Sequence, residues 1–331
     1  MVQEIAPRAR AWWRKARWSA GFLLLSALLG GCAGLVPQSY SLREQPPADL
    51  PSRAELREVP FHAQEQYHCG PAALSMALNA AGVGATPDEL VEQVYLPGRK
   101  GSLQIEMLVA ARRNGLVSYE LEPRLEYVLR EVAAGTPVIV LENYGFRLWP
   151  AWHYSVVVGY DLTAGEIVRR SGMKPRQTMP FPAFEYVWKG DGHWAMVAVP
   201  PDRVPATATE ARYAGAVAAL EKSGQLKNAQ IAYDAMLKRW PSSLAGLMGR
   251  GNTAYALKDP AAAESAFRRA VKEHPESVAA LNNLAHVLSE RGKLDEALVL
   301  AERAVRLGGP LLPSAQGTLN DIRRKSGTTA Q

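Results

Sequence analysis

The chain of 331 residues contains only two cysteines, Cys32 and Cys69, and only six histidines. Two cysteines cannot build a disulfide framework of the kind that holds small secreted domains, nor supply paired thiolates for a zinc site. No HExxH sequence occurs and no cluster of His and Asp shows ligand spacing, so no metal and no other cofactor is expected. Glycine-rich phosphate loops are missing as well, which argues against a nucleotide ligand. Charge of one sign does not dominate either. The formal net charge is +6, but Arg8, Arg10, Arg14, Lys15 and Arg17 against Glu4 place +4 of it in residues 1–31. The remaining +2 is too little to predict a nucleic-acid partner. Finally, the apolar run at 19–31, SAGFLLLSALLGG, is shorter than the 20 or so residues that a spanning helix needs.

What is present at the N-terminus is a positive region, then that apolar run, ending on small residues: the layout of a secretion signal over residues 1–31. The run closes with LGGCAG, which resembles the bacterial lipobox. That resemblance implies lipid attachment at Cys32, which becomes the first mature residue. Ala33 after it implies sorting to the outer membrane, facing the periplasm. Acyl chains of about 0.8 kcal/mol per buried methylene would hold the protein firmly. Lipidation of Cys32 leaves Cys69 without a partner in its own chain, and an unpaired thiol in an oxidising compartment calls for a purpose.

Residues 32–55 are rich in Pro, Ser and charge and read as a tether. From 56 to 200 helical patterns come first. PAALSMALNAAG ends on Gly82; TPDELVEQVYL opens with a capping box of Thr86 and Glu89; SLQIEMLVAARRNG has Ser102 in the cap position and stops at Gly115. Strand patterns follow in TPVIVLENY, WHYSVVVGYD, EIVRRSG and WAMVAVP. Helices followed by an antiparallel sheet make an α+β domain. Residues 201–209 read as a linker, and beyond it strands disappear. Pro241 and Pro275, then Ala229, Ala263 and Ala297, recur at 34 residues, while Gly224 and Gly292 are twice that apart and Tyr233 matches Phe267. This period resembles the tetratricopeptide repeat, so 210–311 is expected to be an all-α solenoid of three units that docks a protein or peptide, followed by a tail at 312–331. His274 and His286 lie at ordinary helical positions there and read as structural.

Cys69 is either a small buried hydrophobe or a nucleophile. A thiol attacks as thiolate, and a helix N-terminus or an imidazolium lowers its pKa. Gly70 and Pro71 open a helix directly after Cys69, and Gly70 would let backbone approach a substrate. Of the nearby histidines, His68 should point away as an adjacent residue, and His193 is a weaker candidate than His153. His153 begins a strand on which His153, Ser155, Val157 and Gly159 share one face and Tyr154, Val156, Val158 and Tyr160 the other.

QEQYHCGPAAL together with WHYSVVVGYD resembles the papain-like cysteine peptidases that process bacteriocins with double-glycine leaders. The resemblance spans about 56–200 and implies a papain-like α+β fold, with Cys69 as nucleophile and His153 as general base and acid. It also implies an upstream glutamine that donates to the oxyanion. Gln64 takes that role, with Gln66 a poorer fit and the backbone N–H of Cys69 as second donor. The family orients its histidine with Asp or Asn on the next strand, where EIVRRSG offers no acid. Asp161 is too far along the strand, and Ser171 is the nearest positional match. Two further outcomes stay open: a peptide-binding relative without activity that scaffolds at the outer membrane, and a cell-wall amidase with a Cys-His pair.

Overall fold

The computed structural model describes residues 36–64, 68–146 and 148–327. The secretion signal, Cys32 and Gln66 fall outside those residues. Among the described residues no helix is long and apolar enough to cross a membrane.

Seven antiparallel strands form one sheet: β1 (Arg53–Glu55), β2 (Val117–Glu120), β3 (Val138–Asn143), β4 (Trp152–Asp161), β5 (Glu166–Ser171), β6 (Lys174–Pro180) and β7 (Ala195–Val199). Their order is β2-β7-β3-β4-β5-β6, with β1 pairing the far half of β4. One face carries α2 (Cys69–Ala80), α3 (Pro87–Val94) and α4 (Gln104–Arg113), whose apolar residues share a core with Ile139, Tyr154, Val156 and Met196. The other face carries α5 (Leu125–Ala133) and α6 (Phe181–Trp188) over Val140, Val157 and Val197.

Several local expectations are met and several are corrected. Thr86 and Glu89 form both halves of the capping box at α3. Gly82 and Gly115 end their helices at φ of +83° and +81°, which glycine alone adopts without strain. Ser102, by contrast, is not the cap of α4, which begins at Gln104 after Leu103. The two-face reading of β4 fails at its end, because a bulge between Val157 and Gly159 shifts the alternation and returns Tyr160 to the core of Val157.

The expected tether at 32–55 is largely part of the fold. Val36 is buried, and α1 (Pro37–Glu44) docks on α6, where Glu185 accepts from the Ser39 backbone N–H at 2.6 Å and from its hydroxyl. Tyr160 donates its hydroxyl to Pro51 O, and β1 follows at once. Composition misled because polar side chains here satisfy buried partners, which hydrophobic periodicity does not register.

The C-terminal half holds α7 (Glu210–Lys222), α8 (Leu226–Arg239), α9 (Leu244–Ala256), α10 (Pro260–Glu273), α11 (Val278–Glu290) and α12 (Leu294–Leu307), the three expected helix pairs. Gly249 and Gly251 explain part of the repeat pattern. A Cβ on Gly251 would fall 2.3 Å from the Phe267 ring, so only glycine permits that helix approach. The supposed tail at 312–331 instead forms α13 (Leu312–Lys325), which covers the last pair with Ala315, Leu319 and Ile322. Solenoids need such an end because the final repeat otherwise exposes its apolar face.

The linker is not loose. Buried Glu131 accepts from the backbone N–H groups of Ala206 and Thr207 at 3.2 and 2.8 Å and from the Thr207 hydroxyl at 2.7 Å. Tyr213, Val217 and Leu220 of α7 then continue the core that contains Val117 and Tyr119 of β2.

Candidate active site

A cavity of about 800 Å³ opens at the end of the sheet where β3 finishes and β4 begins. Cys69, Gln64 and His153 line it together, with Ser102, Gln104 and Asp191 around them. Cys69 reaches it because it starts α2, a helix buried from Gly70 to Leu78 and fixed between the sheet and α3 and α4. No side chain caps that helix start. Its first N–H groups therefore remain directed at the thiol. His153 reaches the cavity from the second residue of β4.

Ser171 holds the imidazole. His153 Nε2 and Ser171 Oγ are 2.9 Å apart, and Ser171 is buried at the end of β5. With Nε2 engaged there, Nδ1 is the nitrogen left for the thiol. The other histidines stay outside the cavity: His68 packs edge-on against Tyr95 with centroids 5.3 Å apart, and His193 packs on Trp188. Asp161 lies at the opposite end of β4, paired with Arg53 and Glu166.

Gln64 is more constrained than expected. Its Nε2 donates to Tyr154 O at 3.0 Å, and its Oε1 accepts from the Gly172 N–H at 2.5 Å. It thereby ties the segment before Cys69 to β4 and to the β5–β6 turn. Its second amide hydrogen makes only a long bond, to Cys69 O at 3.5 Å, and is the more weakly held of the two.

Gly70 also has a different use. A Cβ there would fall 2.3 Å from Ser102 Oγ, so the glycine makes room for the 99–103 loop rather than for a substrate. Tyr154 donates its hydroxyl to Ser102 O at 3.2 Å and holds that loop from below.

The expected fall in the Cys69 pKa is overturned. Burial pushes the thiol up, and the N–H groups of Tyr154, Gly70 and Cys69 pull it down without offsetting that. Burial, helped by the Arg169 charge, pulls His153 down to about 4. Both shifts run toward the uncharged form of each group.

Sequence reasoning missed a charged layer behind His153. Glu142 of β3 lies directly across from His153 of β4, and Arg169 of β5 donates to both Glu142 oxygens. Both side chains are almost wholly buried. Tyr144 adds its hydroxyl to Glu142 at 3.0 Å, and Gln177 accepts from Arg169 at 3.2 Å. The available signal was a charge at inward strand positions, in LEN and in VRRS, which the alternation rule marks as buried. Among the described residues no group of His, Cys, Asp and Glu is arranged to hold a metal.

A thiol on a helix start and an imidazole on a strand start, sharing a cavity on an α+β scaffold, define the thiol-peptidase class of fold. Residues 56–196 match the Peptidase_C39 like family, and residues 215–270 and 248–310 match the tetratricopeptide repeat. The chain thus carries a C39-like peptidase domain followed by tetratricopeptide repeats. A protein described as a C39-like peptidase from Bacillus anthracis aligns at 18% identity, covering 45% of this chain and 98% of that one, with a TM-score of 0.37. A double glycine motif protease from an AMS/PCAT transporter, in complex with the leader peptide, aligns at 22% identity over 44% of this chain and 93% of its own, TM-score 0.34. The first tetratricopeptide domain of Spaghetti (RPAP3), bound to an HSP90 peptide, aligns at 22% identity over 36% and 93%, TM-score 0.34. No curated protein matches the chain.

Proposed function

We propose that the chain is a cysteine peptidase, anchored through a lipid on Cys32 to the outer membrane on its periplasmic side, whose repeats dock a protein partner or the substrate itself. The observation that carries the catalytic reading is the shared cavity, with Cys69 and His153 on its wall and Ser171 2.9 Å behind the imidazole. His153 Nδ1 takes the thiol proton as sulfur attacks the peptide carbonyl. The developing oxyanion meets the Cys69 N–H and the more weakly held Gln64 amide hydrogen. His153 then protonates the leaving amine, and water, deprotonated by the same imidazole, releases the acyl group from sulfur. Ser171 keeps the ring in register through Nε2.

One feature favours a second reading, a peptide-binding protein without turnover. The ring of His153 meets a hydroxyl where thiol peptidases place a carboxamide or carboxylate, and the thiol is pushed up rather than down. Alkylation of the full chain with iodoacetamide across pH separates the two, alongside Cys69→Ala, His153→Ala and mass-spectrometric detection of new peptide termini in a casein digest. Peptidase action requires that Cys69 alkylation at neutral pH slow by at least about tenfold in His153→Ala, the scale of a lost general base. New termini must also vanish in both variants. Equal alkylation rates in wild type and His153→Ala would overturn it.

A further inference from the structure

The hairpin between β3 and β4 leaves its apolar side chains in water. Phe146 is 81% exposed, Leu148 75% and Trp149 76%, and Met173 at the tip of the neighbouring β5–β6 turn is 72% exposed. This is not slack chain. Asn143 Oδ1 accepts from the N–H groups of both Gly145 and Ala151 at 2.9 Å, and Phe146 and Trp149 exchange backbone hydrogen bonds at 3.1 Å. A Cβ on Gly145 would fall 2.2 Å from Trp149 O, so the glycine lets the hairpin fold back closely. Phe146, Leu148 and Trp149 lack apolar cover among the described residues, and exposed apolar surface of this size marks a protein or membrane contact.

The N-terminus indicates which partner. Gln38, in the first turn of α1, donates to Pro123 O and accepts from the Leu125 N–H. Leu121 in turn donates to Ala195 O, and Leu141 of β3 donates to Trp194 O. These contacts place the start of the folded chain at the same end of the sheet as the Phe146–Trp149 tip. Val36 lies four positions after Cys32, so covalent geometry keeps the two within about 15 Å. A lipid on Cys32 would therefore hold this end of the sheet, and no other, at the bilayer surface.

We infer that the Phe146–Trp149 hairpin, with Met173 beside it, is a lipid-contacting surface that enters the headgroup region of the bilayer anchoring the chain. Tryptophan suits that depth because its ring is apolar and its N–H polar. The inference rests on the proposed lipidation of Cys32. One consequence concerns the cavity: Pro150, Ala151 and Trp152 line it and directly follow the hairpin tip. Substrate would then enter beside the membrane, which suits a peptide that is itself emerging from or bound to lipid.

The test uses the full chain with phosphatidylethanolamine–phosphatidylglycerol vesicles, with and without phosphatidylcholine brominated near the headgroup end of its acyl chains. The difference emission between wild type and Trp149→Phe isolates Trp149, and that with Trp240→Phe gives a control in the repeats. On vesicles the Trp149 signal should shift to the blue and lose most of its intensity to brominated lipid, while the Trp240 signal stays unchanged. Mass analysis of the N-terminal peptide from cells is read in parallel. If Cys32 carries lipid but Trp149 remains unquenched, the lipid-contacting hairpin is overturned while anchoring stands. If Cys32 is unmodified, anchoring fails, and quenching of Trp149 alone decides the hairpin.

Discussion

Two acids, Glu142 in the sheet domain and Glu264 in the repeats, are both buried and both paired, but with opposite surroundings. Glu142 has a single cation, Arg169, which is itself buried, and the pair sits directly behind His153. Glu264 is met by Arg268, Arg291 and Lys293, whose side chains are 37%, 32% and 43% exposed. Around Glu264 the repeats bury alanines among Phe267, Leu284, Val287 and Leu288, and the acid ties neighbouring repeats together at the surface. The sheet domain instead collects Glu142, Arg169, Ser155 and Ser171 at one place. The buried acid backs His153 in one half and joins neighbouring helices in the other.

The largest effect should come from breaking the first pair. Arg169→Met leaves Glu142 buried without a counter-charge and should cost about 3–5 kcal/mol in denaturant unfolding. Glu142→Leu/Arg169→Met should recover most of it, since no lone charge remains. Glu264→Gln should cost about 1 kcal/mol or less, because its cations keep much of their hydration. Equal losses at the two sites would erase the contrast.

Next in size is a pH effect confined to the sheet domain. His153 is held down to about 4 in the folded chain, whereas an unfolded histidine titrates near 6.5. Below about 6.5 the unfolded state therefore binds more protons, and stability falls as pH drops toward 4. The ceiling is about 3 kcal/mol, reduced to about 2 by the partial exposure of the ring. His153→Gln should flatten the acid limb of the stability profile; an unchanged limb would show that other groups set it.

Much of this site was legible in the sequence because Cys69 and His153 sit at element starts with clear local signatures. Cys69 precedes Gly-Pro and an apolar helix, and His153 stands just ahead of the Val156–Val158 run of its strand. Ser171 could be placed by strand order alone. What stayed hidden depends on three-dimensional neighbours. The Glu142–Arg169 layer spans β3 and β5, which are 27 residues apart and touch only across β4. The upward push on the Cys69 thiol comes from burial, which spacing does not report. The helix α13 and the docked segment 36–55 were missed for a related reason: what orders them is packing against other elements, as Ala315, Leu319 and Ile322 do in α13 and Ser39 does on Glu185, and their polar composition hides it.

A more modest effect than the pH dependence tests whether the two halves are separate at all. The core that includes β2 continues into α7 and α8 through Tyr213, Val217 and Tyr233, and Glu131 fastens the intervening segment by its bonds to Ala206 and Thr207. Arg239 adds donors to Pro205 O and Ala206 O from the far side. Glu131→Gln keeps the shape but turns one acceptor into a donor that faces a backbone N–H, which should cost about 1–2 kcal/mol. Because the core is shared, scanning calorimetry should show one transition that moves down as a whole, with the Cys69 alkylation rate unchanged. Two resolved transitions, with only the repeat half displaced, would mean that the peptidase domain and its first repeat unfold independently despite their common packing.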